Sequence, residues 1–202
     1  VLSSTSRFTK PISCDMNEQK IAFQLISGEK QVQSWANAHH IDWIILRPTL
    51  IYGYGRDKNI TEIARFIQRF NFFPVFGSAQ GLRQPIHAAD VASACISALN
   101  TSRVSNHCYN LTGGETISYH EMVTRIFQAL DRAPRIVTVP LWLFQFVLWG
   151  LRWLPRYRHW TPEMAKRMNQ DLIFDDYDTK RDLDIFHRPF SLSANDLPSQ
   201  NS

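Results

Sequence analysis

Arg47, Pro48 and Thr49 stand in the stretch Leu46 to Asp57, LRPTLIYGYGRD, which closes with two glycines, Gly53 and Gly55. Two chemistries suit these residue types. A glycine loop cradles phosphate through bare backbone N–H groups, in the form GxxxxGK[ST] or, after a strand, GxGxxG. Gly53-Tyr54-Gly55 supplies two of three such glycines and no following Lys-Ser/Thr. The spacing points instead to glycines that let the chain turn sharply at a strand's carboxyl end. In open α/β sheets that end is where ligands bind. The stretch therefore reads as a strand mouth with Arg-Pro-Thr at its lip.

Other reactive residues carry less. Cys14, Cys95 and Cys108 are odd in number and widely spaced, so they form neither a disulfide framework nor a CxxC zinc site. Cys95 falls in a helical apolar pattern and Cys108 beside a short strand, which suits small buried hydrophobes. His39-His40 and His107-Cys108 lack third and fourth ligands at metal spacing, and no metal is expected. Ser3, Ser4 and Thr5 can simply end a strand. Asp90 suits the N-terminus of a helix, and His87 suits a capping or core position. The net charge of +4 is spread without a Lys/Arg block, which argues against nucleic acid as a partner.

These residues need elements to position them. Ile21, Leu25, Ile26, Val32, Trp35 and Ala36 recur at helical spacing and predict a helix over 20–39. Ile41 to Leu46 predicts a strand covered on both faces, ended by Pro48. Helix followed by buried strand is the rhythm of a βαβ unit. Ile60, Ile63, Ala64, Ile67 and Phe70 predict a helix, FFPVFG a strand stopped by Gly77, and HAADVASACISAL a helix capped near Ala88 to Asp90. CYNL is a strand and TGGE a turn. Ser118 to Glu121, SYHE, predicts a capping box opening a helix to about Leu130. RIVTVP is a strand, and Thr161-Pro162-Glu163 opens a further helix. The polar last dozen residues predict a disordered tail. No signal peptide opens the chain, whose first residues read as the end of a strand; cytoplasmic placement and a piece of a longer protein are the expectations. Val137 to Leu151 lacks charge but is shorter than the roughly 20 residues that span a bilayer. It reads as a packed helix or, with Arg152, Arg156 and Arg158, as a helix on a membrane surface.

Four segments in order, LSSTS, WIILRPTLIYGYG, VFGSAQGLRQPIHAADVASACISAL and YNLTGGETISYHEMV, resemble the C-terminal two-thirds of the extended short-chain dehydrogenase/reductase family, which includes NAD-dependent nucleotide-sugar epimerases and dehydratases. The resemblance runs from residue 1 to about 190. It implies an α/β fold: the C-terminal part of a Rossmann-like doubly wound parallel sheet plus a small, mostly helical substrate-binding lobe. Residues 1–60 would end the NAD(P)-binding domain. Residues 61–190 would form mainly the lobe, with 83–111 returning to the sheet, and 191–202 the tail. The glycine-rich cofactor half of the family is not in this sequence.

Residue by residue, the resemblance implies that Ser4, with Thr5 beside it, hydrogen-bonds the reacting oxygen of a sugar. Pro48, Thr49 and Leu50 would pass the nicotinamide carboxamide of NAD or NADP, and Arg83 would bind a diphosphate. Arg56 and Lys58 could line the substrate mouth, but no motif fixes them. One departure is large. Counting back from Glu29, the family's Tyr-x-x-x-Lys pair falls on Ile21 and Leu25, neither of which transfers a proton. Such a base contributes about 10²–10⁴-fold. Lys20, Asp15 or a substrate-borne group would have to replace it. Two functions stay open: an NAD(P)-dependent nucleotide-sugar epimerase/dehydratase-like oxidoreductase, or a non-catalytic NAD(P)H-binding subunit of structural or redox-sensing kind. A homodimer is compatible with either.

Overall fold

The computed structural model describes residues 1–101, 104–140 and 162–198. In chain order, a short turn of helix α1 (Ser6–Thr9) leads to α2 (Met16–Ala38), β1 (Ile44–Pro48) and β2 (Ile51–Tyr52). Then come α3 (Ile60–Phe70), β3 (Phe73–Phe76), β4 (Leu82–Arg83), β5 (Ile86–His87), α4 (Ala88–Asn100), β6 (His107–Leu111) and β7 (Ile117–Ser118). The rest are α5 (Tyr119–Ala129), β8 (Ile136–Val139), α6 (Pro162–Met168), α7 (Tyr177–Leu183) and a 3₁₀ turn, Ala194–Asp196. The chain forms two compact units. The first is Val1–Ile51, Gln84–Glu115 and Phe174–Phe190; the second takes the described residues of Tyr52–Arg83, Thr116–Ile173 and Ser191–Ser202.

In the first unit β1 and β6 pair in parallel, Ile44 against His107 through Pro48 against Leu111. Leu2 forms an isolated bridge to Leu46, also in parallel, which sets the first residues alongside β1. Parallel neighbours need covered faces. Leu46, Tyr109 and Leu111 of the strands meet Val91 and Ala94 of α4 and Leu183 and Ile185 of α7 and its exit, with Cys95 packed against them. Each fully buried aliphatic residue here contributes about 1.5–3 kcal/mol. The α/β class with parallel strands is the one the sequence indicates. The strand starts at Ile44 rather than Ile41, because the Ile41 amide closes the end of α2 on the Ala36 carbonyl (2.9 Å) and its side chain is exposed.

Helix α2 corrects the sequence reading in two ways. It begins at Met16, since Asp15 caps it by accepting from the Asn17 amide (2.8 Å). Its buried residues are Ala22, Glu29 and Ala36, a stripe of every seventh residue, whereas Ile21 and Trp35 of the expected apolar face are exposed.

In the second unit β3 and β8 run parallel, and β4 and β7 antiparallel. Helix α3 buries Ile60, Ile63, Ala64 and Ile67, and α5 buries Met122, Val123, Ile126 and Phe127. Asp57 starts α3, its carboxylate accepting from the Asn59, Ile60 and Thr61 amides. Ser118 caps α5 by accepting from the Glu121 amide (3.1 Å), but the Glu121 carboxylate pairs with Arg125 (2.8 Å) instead of turning back to Ser118. The capping box is therefore half made. Within the expected tail, Ser193 and Asp196 do form a capping box on the 3₁₀ turn, so residues 193–197 are structured. The uncharged stretch and its arginines lie largely outside the described residues, as does Thr161. No helix among the described residues is long and apolar enough to cross a membrane.

Candidate functional site

The first unit gathers Ser4, Thr5 and Pro48–Leu50. The Ser3 amide donates to the Leu46 carbonyl (2.7 Å) and the Thr5 amide to that of Pro48 (3.1 Å), which carries the opening segment along β1 to its carboxyl end. Thr5 is buried, and its hydroxyl also donates to Pro48 (3.2 Å). Ser4 is half-buried. Its hydroxyl oxygen accepts from the Ser6 amide (3.1 Å), an arrangement that leaves the proton to donate. The polar groups at Pro48–Leu50 are mostly engaged. The Thr49 amide donates to Leu111 (2.9 Å), its hydroxyl to Gln84 (2.5 Å), and the Leu50 carbonyl accepts from Ile86 (2.9 Å). Among the described residues, the Thr49 carbonyl and Leu50 amide take no hydrogen bond. They belong to one trans peptide and face opposite ways, so one of them fits a carboxamide at a time. Within that limit these residues suit a nicotinamide group.

Arg47 does not stand at the lip. Its guanidinium folds onto Glu29, Nη2 donating at 2.6 Å and Nε at 3.1 Å. Arg7 donates to the same carboxylate, and Ser3 Oγ does so at 2.5 Å. Burial would push the Glu29 carboxyl up, but the hydrogen bonds from Arg47 and Ser3 and the charges of Arg47 and Arg7 hold it below the usual range. Sequence reasoning used Glu29 only as a marker. The available signal was its place on the Ala22–Glu29–Ala36 stripe.

Where the family carries its phenol and amine, α2 presents Ile21, exposed, and Leu25, half-buried. Asp15 is occupied as the cap of α2, and Lys20 is exposed. His87 caps α4 through Nδ1, accepting from the Ala89 amide (3.1 Å). Asp90 is held by Arg188, at 2.9 Å from Nε and 2.7 Å from Nη2.

Arg83 belongs to the second unit and is buried. Its Nη1 donates to the Leu82 and Gln170 carbonyls (both 2.7 Å) and its Nη2 to Arg167, so it gathers carbonyls at the end of α6. The guanidinium lies 5.7 Å from the Tyr119 ring centre. Burial pushes its pKa down to about 10, with Arg167 adding and Tyr119 and Asp171 opposing, and it stays cationic at neutral pH. In the same unit Gly53, Tyr54 and Gly55 all have positive φ (122°, 58° and 61°). A Cβ on Gly55 would lie 2.8 Å from the Leu197 carbonyl oxygen, and Asp196 accepts the Tyr54 and Gly55 amides. Those glycines make a tight turn against residues 196–198, not a phosphate cradle. Arg56 and Lys58 beside them are exposed. Among the described residues, no three His, Cys, Asp or Glu side chains are grouped to hold a metal.

Comparison with known proteins gives this geometry a setting. The model of the NAD dependent epimerase/dehydratase family matches residues 22–112. A UDP-glucose 4-epimerase of Vibrio cholerae is 24% identical over 118 residues, 58% of this chain and 36% of that protein. The mitochondrial NADH dehydrogenase (ubiquinone) 1 alpha subcomplex subunit 9 of Arabidopsis thaliana is 28% identical over 97 residues, 48% of this chain and 24% of that one. The fold matches that of UDP-glucuronic acid 4-epimerase from Bacillus cereus, solved in complex with NAD. The TM-score is 0.65 and the identity 15%, over 96% of this chain and 56% of the other. The chain thus spans about a third of the first curated relative and about half of that solved structure.

Proposed function

We propose that this chain, whose residues 22–112 match the NAD dependent epimerase/dehydratase family, serves an NAD(P)-dependent oxidoreductase or epimerase acting on a nucleotide sugar. NAD or NADP, when bound, supplies the hydride acceptor. Ser4 donates its hydroxyl proton toward the reacting sugar oxygen, with Thr5 fixing the turn behind it. Pro48, Thr49 and Leu50 flank the carboxamide, and Arg83 holds the diphosphate. A guanidinium suits phosphate because its planar fork presents parallel donors; here Nη1 and one donor of Nη2 are held by carbonyls, so a phosphate would take those that remain. The proton that the family's phenol would take passes to Lys20, Asp15 or a group on the substrate. The observation carrying this reading is the half-buried Ser4 hydroxyl, with a proton to donate, at the strand end that also holds Pro48 and Thr49.

Calorimetric titration of the intact protein with UDP-glucose tests it. Arg83→Ala is expected to weaken binding about 10- to 100-fold, the worth of a charge-assisted hydrogen bond, and Arg83→Lys by less. Circular dichroism shows whether the variants stay folded, since Arg83 also holds the α6 carbonyls. Unaltered affinity in folded Arg83→Ala removes this residue from the site.

A second reading has its own support. Ile21 and Leu25 lack proton chemistry, and the likeness to an NADH dehydrogenase subunit fits a protein that binds NAD(P)H without turnover. Incubation with UDP-glucose and NAD separates the two. An epimerised sugar or reduced nicotinamide supports the enzyme. Binding of both ligands with neither product supports the subunit.

A further inference from the structure

Glu29 is a carboxylate in the middle of a helix, only 4% exposed, between two buried alanines. A charge is rarely left in such a place unless it is paired and hydrogen-bonded. Here it has four donors. Oε1 accepts from Ser3 Oγ at 2.5 Å and from Arg47 Nε at 3.1 Å; Oε2 accepts from Arg47 Nη2 at 2.6 Å and from Arg7. Ser3 and Arg7 lie on either side of Ser4, Thr5 and Ser6. One carboxylate therefore grips both flanks of the segment that carries the proposed hydroxyl. Arg47 ties the same carboxylate to β1, where Thr5 meets Pro48. The outer side is closed by Phe8, whose ring centre lies 5.2 Å from the Arg7 guanidinium and 5.4 Å from that of Arg47, and which rests on Phe174 at 6.0 Å. Without the carboxylate, two guanidiniums would face each other with no counter-ion, and the clamp would open on both sides.

We propose that Glu29 is a positioning residue, which holds the Ser4 hydroxyl in register with the end of β1 by clamping Ser3 and Arg7 at once; this rests on the reading of Ser4 given above. A hydroxyl that must meet a reacting oxygen has to be held within about 0.5 Å. One tether leaves the three-residue segment free to pivot, whereas two tethers to one rigid point do not.

Residue-resolved amide hydrogen exchange tests this on the 202-residue chain. In Glu29→Gln the Thr5 and Ser6 amides, bonded to Pro48 O and Ser4 Oγ, are expected to exchange about tenfold faster, as local opening frees them. The Ile86 amide, bonded to Leu50, and the Asn71 amide, bonded to Ile67, are expected to keep their rates. Arg7→Ala removes one arm from a half-exposed position and is expected to give a smaller acceleration at the same two amides, so it decides the matter if Glu29→Gln fails to fold. Unchanged Thr5 and Ser6 rates would overturn the proposal. So would an equal acceleration at Ile86, which marks a carboxylate that merely stabilises its unit. The readout needs no ligand, so it judges Glu29 whatever the UDP-glucose titration gives.

Discussion

At the scale of single residues, replacement of the proton-transfer pair is the feature with most bearing on function. Packing does not force it. Ile21 is 42% exposed, so a tyrosine there meets solvent rather than a filled core. Ile21→Tyr is expected to change stability by less than about 1 kcal/mol, as surface substitutions do; a thermal melt that loses cooperativity would show that the site cannot accept the phenol. Gly113 is the opposite case. A Cβ there would stand 1.8 Å from the Pro85 carbonyl oxygen, and one on Gly114 2.1 Å from that of His187. Both neighbours are backbone, so Gly113→Ala is expected to destabilise by about 3 kcal/mol, read from a denaturant midpoint. The sequence shows these glycines as a turn. It does not show that they are close-approach glycines, because Pro85 and His187 come near only after folding. Glu29 was hidden in the same way: its partners Ser3, Arg7 and Arg47 are scattered along the chain.

At the scale of elements, helices with an aliphatic stripe were legible. Helix α3 buries Ile60, Ile63, Ala64 and Ile67, four of the five residues that announce it. Helix α2 was legible as a helix but not by face, since small residues and a paired carboxylate seat it on the strands while Ile21, Phe23 and Trp35 stay exposed. Periodicity counts apolar residues and cannot see a buried charge that is compensated. The half-made box at Ser118 is a similar lesson, since the Glu121 carboxylate has a competing partner one helical turn on.

The segment Ile185–Phe190 gives a pH dependence. His187 is buried, and among the described residues neither of its ring nitrogens has a partner at full hydrogen-bond geometry. Burial pushes its pKa below the ordinary 6.5, opposed by the charge of Asp90, the Thr112 backbone and Asp176, with Lys180 adding. The unfolded chain therefore takes up this proton before the folded one. Stability is complete above pH 6.5 and falls as the pH drops below it, by at most about 1.4 kcal/mol per pH unit. His187→Leu is expected to flatten the fall in melting temperature between about pH 6.5 and 5.5. An unchanged slope would assign the acid sensitivity to other groups.

At the scale of the whole molecule, the parallel pair β1·β6, the bridge from Leu2 to Leu46 and the helices around them give the α/β character that the helix–strand rhythm implies. The two units divide the chain at Ile51, Arg83, Glu115, Ile173 and Phe190, boundaries that no shift in composition marks. They follow from chain crossings, which depend on contacts distant in sequence. The matched relatives extend well beyond this chain, so cofactor affinity is a property to measure on the intact protein.

Both functional readings require a nicotinamide nucleotide to bind, and titration of the intact protein with NADH and NADPH, followed by nicotinamide fluorescence, is the most direct test of that shared claim. The account expects a saturable change in emission at submillimolar concentration with one of the two. Emission that stays the same as free cofactor up to millimolar concentrations of both would contradict it.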